Sequence, residues 1–226
     1  MTWARGTVVL GGCRTPFLRS ETAFADVMGY ELGAFAVAGL LQRTGLDPAK
    51  LDRLLFGNVI QEVKTSNVAR EVGLACGIPD DVPAVTLTAA CASANVAVET
   101  AVEAIAAGAA DLVIAGGVET LSDPPIRFRR AIRKRLLAAR RAKGIGAWLR
   151  LLRGLRPRDF APEAPAIAEF STGLTMGDNA ERIAKRFGIS REAQDAFALR
   201  SHRLAAEAAA AGRYERQIVP VPVPAA

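Results

Sequence analysis

The sequence has few of the residue types from which metal centres and disulfide frameworks are built. Its 226 residues include one histidine and three cysteines, at positions 13, 76 and 91. The odd number of cysteines and their lack of metal-ligand spacing argue against a disulfide framework and against a zinc site. We therefore expect reduced thiols, a cytoplasmic location and no resident metal or cofactor.

A long uninterrupted apolar segment is also missing. Residues 1–6 lack the apolar core of a signal peptide, and three acidic residues interrupt the most apolar region, residues 96–118. Half of all residues are nonetheless apolar, which is enough for a sizeable core. We expect a soluble protein of one domain, or of one domain with an appendage.

Acidic residues are absent from residues 127–158, which contain thirteen lysines and arginines. The rest of the chain is net acidic, with sixteen basic and twenty-three acidic residues, so the basic character is local. The segment is either an ordinary solvated face or a contact surface for an acidic partner or an anionic membrane. Nucleic acid is disfavoured, because nothing here is typical of a reading helix or a stacking platform.

Strand and helix patterns alternate through the first half of the chain. Strands are predicted at residues 7–10, 54–60, 85–88 and 112–115. Helices are predicted from an N-cap at Asp26 to about Arg43, with Gly45 just past the end, and from about Asn67 to Cys76. This alternation predicts an α/β fold with a mainly parallel sheet covered on both faces.

Cys91 lies where a predicted strand passes into a helix. That helix places Val98, Ala101, Val102 and Ile105 on one face, and residues 112–115 then form an apolar run typical of a strand buried on both sides. The unpaired amides and the macrodipole of a helix N-terminus favour a thiolate or a developing oxyanion. A small buried structural cysteine is the alternative interpretation.

The pattern changes after residue 122. Apolar residues recur at helical spacing among the arginines, first Phe128, Ile132 and Leu136, then Ile145, Trp148, Leu149, Leu152 and Leu155. Residues 157–165 are predicted to form a proline-containing linker, followed by a short helix near residues 176–181. Ser190 is predicted to cap a helix that ends near Gly212 and carries His202.

Several motifs, in the expected order, resemble the first half of a thiolase, an acyl-CoA C-acyltransferase, and most closely the thiolase subunits of trifunctional β-oxidation complexes. They are Arg14-Thr15-Pro16-Phe17, Gly57-Asn58-Val59-Ile60-Gln61, Cys91-Ala92-Ser93-Ala94-Asn95, Gly116-Gly117-Val118-Glu119, Ser122-Asp123-Pro124-Pro125-Ile126-Arg127, Met176-Gly177 and Gln194-Asp195-Ala196-Phe197. The motif at residues 122–127 and Met176-Gly177 favour a thiolase over a ketoacyl synthase.

The resemblance implies a thiolase-like fold, of which only the first half is present. Thiolases contain two similar α/β halves, with a loop domain inserted in the first. Residues 1–121 would be an incomplete N-terminal α/β core with a mixed, mainly parallel sheet. Residues 122–226 would be a largely helical loop domain that contains the basic segment 127–158.

The resemblance also implies the chemistry. Cys91 would be the acylated nucleophile, with its own N–H as an oxyanion donor, and Met176 would line the acyl and pantetheine pocket unless it is a core methionine. The reaction would cleave 3-ketoacyl-CoA with coenzyme A, which is a substrate and not a cofactor, or run in the condensing direction. The basic segment would then have the phosphates of coenzyme A as a further candidate target.

The family's Gly-His-Pro, Cys-x-Gly and Asn-Glu-Ala-Phe motifs are missing. His202 matches a position without a catalytic role, and Cys13 and Cys76 are best interpreted as structural. Two hypotheses follow: a thiolase half that needs a complementary chain for the histidine and the second cysteine, in a hetero- and homo-oligomer, or a non-catalytic fragment that binds acyl-CoA or a partner. In both cases we expect poor solubility alone or obligate association, and a cytoplasmic location that includes peripheral membrane attachment.

Overall fold

A computed structural model describes residues 6–141, 143–146, 149, 153–163 and 166–223. The chain forms two compact units, one comprising Met1–Asp123 with Ser190–Ala226 and the other Pro124–Ile189. We call them the α/β unit and the inserted unit. Residues 190–226 therefore group with the α/β unit. The predicted division of the chain into an α/β core, residues 1–121, and a loop domain, residues 122–226, stays a prediction.

The described elements follow one another in a simple order along the chain. They are α1 (Gly29–Thr44), a 3₁₀ turn (Pro48–Lys50), β1 (Arg53–Gly57), α2 (Val68–Ala75), β2 (Ala84–Leu87), α3 (Ser93–Ala106), β3 (Val113–Gly117), β4 (Arg127–Phe128), α4 (Arg130–Ala139), a second 3₁₀ turn (Pro157–Phe160), β5 (Pro162–Glu163), α5 (Met176–Phe187) and α6 (Arg191–Ala210).

A three-stranded parallel sheet in the order β2-β1-β3 forms the centre of the α/β unit. Alternate residues of β1 pack into separate clusters, because successive side chains of a strand point to opposite faces. Leu54 and Phe56 join the cluster that includes Val72 of α2, whereas Leu55 packs with Ala97 of α3. The predicted α/β class with a parallel sheet covered by helices is confirmed.

The ends of the first two helices follow local capping chemistry. Asn67 caps α2, because its side-chain oxygen accepts a hydrogen bond from the Arg70 amide at 3.2 Å. Gly45 ends α1 in the left-handed conformation, with φ +65°. The predicted N-cap at Asp26 is wrong: α1 begins after Met28, whose amide donates to Oε2 of Glu31 at 2.8 Å.

The predicted first strand, residues 7–10, is not formed in the described structure. Val8, Val9 and Leu10 are 77%, 88% and 74% exposed. The β-branched pattern of this segment is typical of a strand, but a strand also requires a neighbour with which to form a hydrogen-bonded ladder. The described chain offers no such neighbour to these residues.

The predicted apolar face of α3 is also shifted. The helix buries Ala97, Ala101 and Ala104, whereas Val98 is 48% exposed. Ala106 is buried as well, and Val102 and Ile105 of the predicted face are half-buried, so alanine side chains form most of the buried face. Ile114 is the one buried residue of β3, so this strand is covered less completely than its apolar run predicts.

In the inserted unit, β4 and β5 form a short antiparallel ladder. Ile132 of α4 is buried, whereas Phe128 belongs to β4 and not to the helix as predicted. Trp148 and Leu152 of the second predicted stripe lie outside the described residues. Thr175 and Asp178 cap α5 reciprocally. Among the described helices, none is long and apolar enough to cross a membrane.

Candidate active site

Cys91 lies in the turn between β2 and α3, beyond the carboxyl end of a strand in the parallel sheet. This end of the strands is where open α/β sheets place their ligands. The preceding residue, Ala90, has φ +48°, a left-handed conformation that is uncommon for a residue with a Cβ. The Cys91 side chain is exposed, as the predicted role of a nucleophile requires, and so it is not a buried packing residue.

Buried Ser93 fixes the turn that carries Cys91. Its Oγ accepts a hydrogen bond from the Ala89 amide at 2.8 Å and donates one to the Ala90 carbonyl at 2.6 Å. Because these bonds hold the backbone just before the cysteine, they stabilise the left-handed residue. The motif Cys91-Ala92-Ser93 identified the segment, but the sequence did not reveal the positioning role of Ser93.

Two glycines allow the N-terminus of α3 to approach the sheet closely. A Cβ on Gly57, the last residue of β1, would lie 2.5 Å from the Ala94 nitrogen and 2.8 Å from the Ser93 Cβ. A Cβ on Gly117, the last residue of β3, would lie 2.8 Å from the Gly57 carbonyl oxygen and 3.1 Å from the Ala94 Cβ. Close backbone approach therefore requires glycine at the ends of both β1 and β3.

The first turn of α3 has no side-chain cap within the described residues, whereas α2, α5 and α6 have one each. Asn67, Thr175 and Ser190 provide those three caps, the last as predicted from the sequence. The positive end of the α3 macrodipole is therefore free of a competing side-chain oxygen. This environment suits an anion, whether a thiolate or an oxyanion, beside the turn.

The other two thiols are held as hydrogen-bond donors inside the α/β unit. Cys13 Sγ donates to the Ala36 carbonyl at 2.9 Å, and Cys76 Sγ donates to the Ala34 carbonyl at 3.3 Å, both on α1. Burial raises the pKa of Cys13, and it raises the pKa of Cys76 to about 11. These environments keep both thiols protonated and agree with their interpretation as structural residues.

Met176 and His202 lie on two different helices. Met176 is the first residue of α5 in the inserted unit, and its side chain is 61% exposed. His202 lies on the exposed helix α6 of the α/β unit. The roles assigned to Cys91 and Met176 by resemblance stay predictions.

A polar network that no sequence pattern indicates joins the ends of β1 and β3. The Glu119 carboxylate accepts hydrogen bonds from the amides of Val59 and Ile60, the shortest being 2.9 Å, and from Nδ2 of Asn58 at 3.1 Å. Asn58 Nδ2 also donates to the Val118 carbonyl at 3.0 Å. Asn58 lies in the motif at residues 57–61 and Glu119 in the motif at residues 116–119, and the tertiary structure pairs them.

Across the described ranges, no group of three His, Cys, Asp or Glu side chains is arranged to hold a metal ion.

Comparison with known proteins assigns the chain to a family. A model of the thiolase N-terminal domain matches residues 7–226. The mitochondrial trifunctional enzyme subunit beta of Homo sapiens is 49% identical over 97% of this chain and 46% of its own length. A 3-ketoacyl-CoA thiolase of Pectobacterium atrosepticum is 44% identical over 95% of this chain and 49% of its own length. The chain thus spans about half the length of these curated relatives.

The fold comparison agrees. A crystal structure of the Bacillus anthracis acetyl-CoA acetyltransferase matches 97% of this chain and 51% of that one, with a TM-score of 0.78 and 28% identity. The predicted resemblance and the thiolase-like fold are thereby confirmed. The family model, the sequence relatives and the structural neighbour agree with one another, and the chain belongs to the thiolase family through its N-terminal domain.

Proposed function

We propose that the chain is one half of an acyl-CoA C-acyltransferase and that Cys91 is its acylated nucleophile. The observation that carries the proposal is the exposed thiol on a left-handed turn, directly before the uncapped N-terminus of α3. The relatives named 3-ketoacyl-CoA thiolase support 3-ketoacyl-CoA as the substrate class. Fatty-acid degradation and the reverse condensation are both compatible with this chemistry.

In the proposed reaction, the Cys91 thiolate attacks the 3-keto carbon of the substrate. The bond between carbons 2 and 3 breaks, the acetyl carbanion takes a proton and acetyl-CoA leaves. The thiol of a second coenzyme A then attacks the acyl thioester, so that a shortened acyl-CoA leaves and Cys91 is regenerated. Such a ping-pong reaction requires a base, an acid and oxyanion donors.

A complementary chain would supply the groups that the described residues do not offer. His202 is on an exposed helix surface, and Cys13 and Cys76 donate to carbonyls of α1. We propose that the catalytic histidine and the second reactive cysteine come from a chain that corresponds to the second half of the relatives. Hetero-oligomers, and homo-oligomers of the completed enzyme, follow from this arrangement.

The exposed apolar surface of the α/β unit supports such association. Residues 8–10 are exposed and apolar, β2 and β3 are the outer strands of the sheet, and Phe197 of α6 is 67% exposed. Unpaired strand edges and exposed apolar side chains favour association or aggregation. We propose that a strand of the complementary chain pairs along one of these edges, and that the chain alone is poorly soluble.

Met176 is proposed to contact the acyl or pantetheine part of the substrate. Its exposed thioether at the start of α5 supports a contact role over a core role. A flexible, polarisable side chain of this kind adapts to apolar ligands of different shape.

The basic segment is proposed to bind an anionic surface, with a cytoplasmic, membrane-peripheral location for the protein. Helix α4 presents exposed Leu136 and Leu137 among its arginines, while Ile132 is buried. Lysine or arginine near an anionic bilayer contributes about 1 kcal/mol per residue. Co-sedimentation with anionic and neutral vesicles tests this target. If the protein does not bind the anionic vesicles, an acidic partner subunit or the phosphates of coenzyme A are the alternative targets of the basic segment.

The second candidate function is a non-catalytic thiolase-like protein that binds acyl-CoA or a partner. Its support is the same half-length match to the relatives. It differs from the first candidate in predicting that no acyl group is transferred to Cys91 under any condition.

Intact-mass measurement separates the two candidates. The purified chain is incubated with a 3-ketoacyl-CoA, with and without a second chain that carries Gly-His-Pro and Cys-x-Gly, and acylated peptides are mapped. Acylation of Cys91 only in the mixture, removed by coenzyme A and absent in Cys91→Ser, is the expected result. Acylation of the chain alone would contradict the need for a partner, and none in the mixture would favour the binding protein.

A further inference from the structure

The residue before the candidate nucleophile has an unfavourable backbone conformation. Ala90 has φ +48°, in the left-handed region. A residue with a Cβ is disfavoured there, because the Cβ comes close to the following carbonyl oxygen, whereas glycine adopts this conformation freely. Such conformations persist only where the surrounding structure holds them, and they concentrate at active sites. The contacts that hold Ala90 therefore bear on the place of Cys91.

Two main-chain hydrogen bonds close the turn around Cys91. The Ala92 amide donates to the Ala89 carbonyl and the Ser93 amide donates to the Ala90 carbonyl, both at 3.1 Å. Each bond spans four residues, so the two form overlapping turns, and Cys91 is an inner residue of both. These bonds define the chain after Ala90, but neither of them involves the Ala89 amide.

The Ser93 hydroxyl bonds to both ends of the dipeptide Ala89-Ala90. Its Oγ accepts from the Ala89 amide at 2.8 Å and donates to the Ala90 carbonyl at 2.6 Å. A hydroxyl can do both, because it has one proton and two lone pairs. The backbone rotations of residues 89 and 90 determine how this amide and this carbonyl lie relative to each other. One atom bonded to both groups therefore restricts Ala90 to its observed conformation.

The position of Ser93 suits it to hold the turn and not to contact a substrate. It is the first residue of α3 and only 5% exposed, whereas the Cys91 side chain is exposed. Its Cβ lies close to the end of β1, where a Cβ on Gly57 would come within 2.8 Å of it. The hydroxyl is thus fixed by the packing of the helix against the sheet.

We propose that Ser93 is a positioning residue for Cys91 and that it acts through Ala90. Its hydroxyl holds the left-handed conformation, and that conformation directs the thiol toward the substrate. This inference rests on the proposed role of Cys91 as the nucleophile, and it adds a residue that does not react itself. A misplacement of about 1 Å can slow a reaction by about a hundredfold. Glycine at position 90 should make the hydroxyl dispensable, because it adopts the left-handed conformation without support.

The rate of Cys91 acylation in the complemented enzyme tests the role of the hydroxyl. Ser93→Ala should lower the maximal rate by at least about tenfold and leave the half-saturating substrate concentration unchanged, because Ser93 is buried away from the substrate. Thr100→Val is the matched control. It removes a hydroxyl of the same helix, which donates to the Val96 carbonyl at 2.8 Å, and should react like the wild type.

A second substitution tests the route through Ala90. The double variant Ser93→Ala, Ala90→Gly should recover to within about threefold of the wild-type rate. Ala92 follows the cysteine and has φ −92°, outside the left-handed region. Ser93→Ala, Ala92→Gly therefore adds the same flexibility without relieving the unfavourable conformation, and it should remain slow.

Hydrogen exchange of the full chain alone provides a measurement that does not need thiolase activity. In Ser93→Ala the amides of Ala89 and Ala92 should both exchange faster. Adding Ala90→Gly should slow exchange at Ala92 again, because the turn reforms, but not at Ala89, which still lacks its acceptor. If the wild type is not acylated in the mixture, the proposed function fails, and hydrogen exchange alone decides the role of Ser93.

Slow alkylation of Cys76 shows that each variant is folded. If Ser93→Ala unfolds, Ala90→Val replaces it, since this variant keeps the hydroxyl but a β-branched residue resists the left-handed conformation. Acylation of either variant at the wild-type rate would overturn the proposal. So would unchanged exchange at Ala92 in Ser93→Ala, no recovery with Ala90→Gly, or equal recovery with Ala92→Gly.

Discussion

The backbone nitrogen of Ala94 lies where a Cβ on Gly57 would come within 2.5 Å of it. The last residue of the central strand and the first turn of α3 are therefore in direct backbone contact. This contact positions the turn that holds Cys91 at the carboxyl end of the strands. Gly57, 34 positions earlier in the chain, therefore controls where the candidate nucleophile lies.

Replacing Gly57 by alanine should displace α3 and destabilise the protein. Overpacking of this kind costs about 1–3 kcal/mol of unfolding free energy. The variant should also lose acylation of Cys91 in the complemented enzyme, because the turn moves with the helix. Chemical denaturation and intact mass measure the two effects.

Gly116→Ala is the matched control. Gly116 lies in β3, and its Cβ would meet only the Phe56 ring at 3.9 Å, an ordinary contact. The control should unfold and react like the wild type. Equal behaviour of the two variants would show that close approach at Gly57 is not what places Cys91.

The three thiols should react with iodoacetamide in a fixed order. Exposed Cys91 should be alkylated first, and Cys13 and Cys76 much later. With the pKa of Cys76 at about 11, only about one molecule in a thousand carries its thiolate at pH 8. The rate at Cys76 should rise about tenfold per pH unit toward that pKa.

Peptide mapping over time measures these rates. In urea the three cysteines should react at similar rates, because burial then no longer protects two of them. Alkylation of Cys76 as fast as Cys91 in the folded protein would contradict the described environments.

Asp52 should make the stability of the α/β unit depend on pH. Its Oδ2 accepts hydrogen bonds from the amides of Asp111 and Leu112 at 2.7 and 2.9 Å, which lower its pKa below the ordinary value of 3.8. The folded state therefore favours the carboxylate. Its contribution is present above pH 4 and is lost as the pH falls through the lowered pKa.

Asp52→Asn should therefore unfold at lower urea concentration than the wild type at pH 7, with the difference shrinking toward pH 3. The control Asp81→Asn, which changes an exposed acid, should show little difference at either pH. A gap between Asp52→Asn and the wild type that stays constant from pH 7 to pH 3 would refute the assignment.

Glu119→Gln should loosen the loop after β1. The Glu119 carboxylate accepts from two backbone amides and from Asn58, whereas a glutamine has one acceptor oxygen and a side-chain nitrogen that cannot accept. We therefore expect the free energy of unfolding to fall by about 1 kcal/mol. Hydrogen exchange at Val59 and Ile60 should accelerate. The control Glu99→Gln, on the exposed side of α3, should leave hydrogen exchange at both amides unchanged. Unchanged exchange in Glu119→Gln would contradict the role given to the carboxylate.

Several elements could be predicted from local sequence because their determinants are local. Asn67 and Ser190 cap helices with their own side chains, and Gly45 adopts the left-handed conformation that ends α1. Cys91 before a helix was predicted in the same way. The prediction of a strand at residues 7–10 is wrong, because a strand needs a neighbouring strand that the local pattern does not reveal.

By itself, the sequence determined the family, the parallel α/β class and the place of Cys91 between a strand and a helix, because motifs and hydrophobic periodicity depend on neighbouring residues. Only the tertiary structure decided which face of α3 is buried, why Gly57 is needed and how Asn58 meets Glu119. These relationships join residues 36 to 61 positions apart in the chain. Packing and hydrogen bonding across strands, which no local pattern specifies, bring them together.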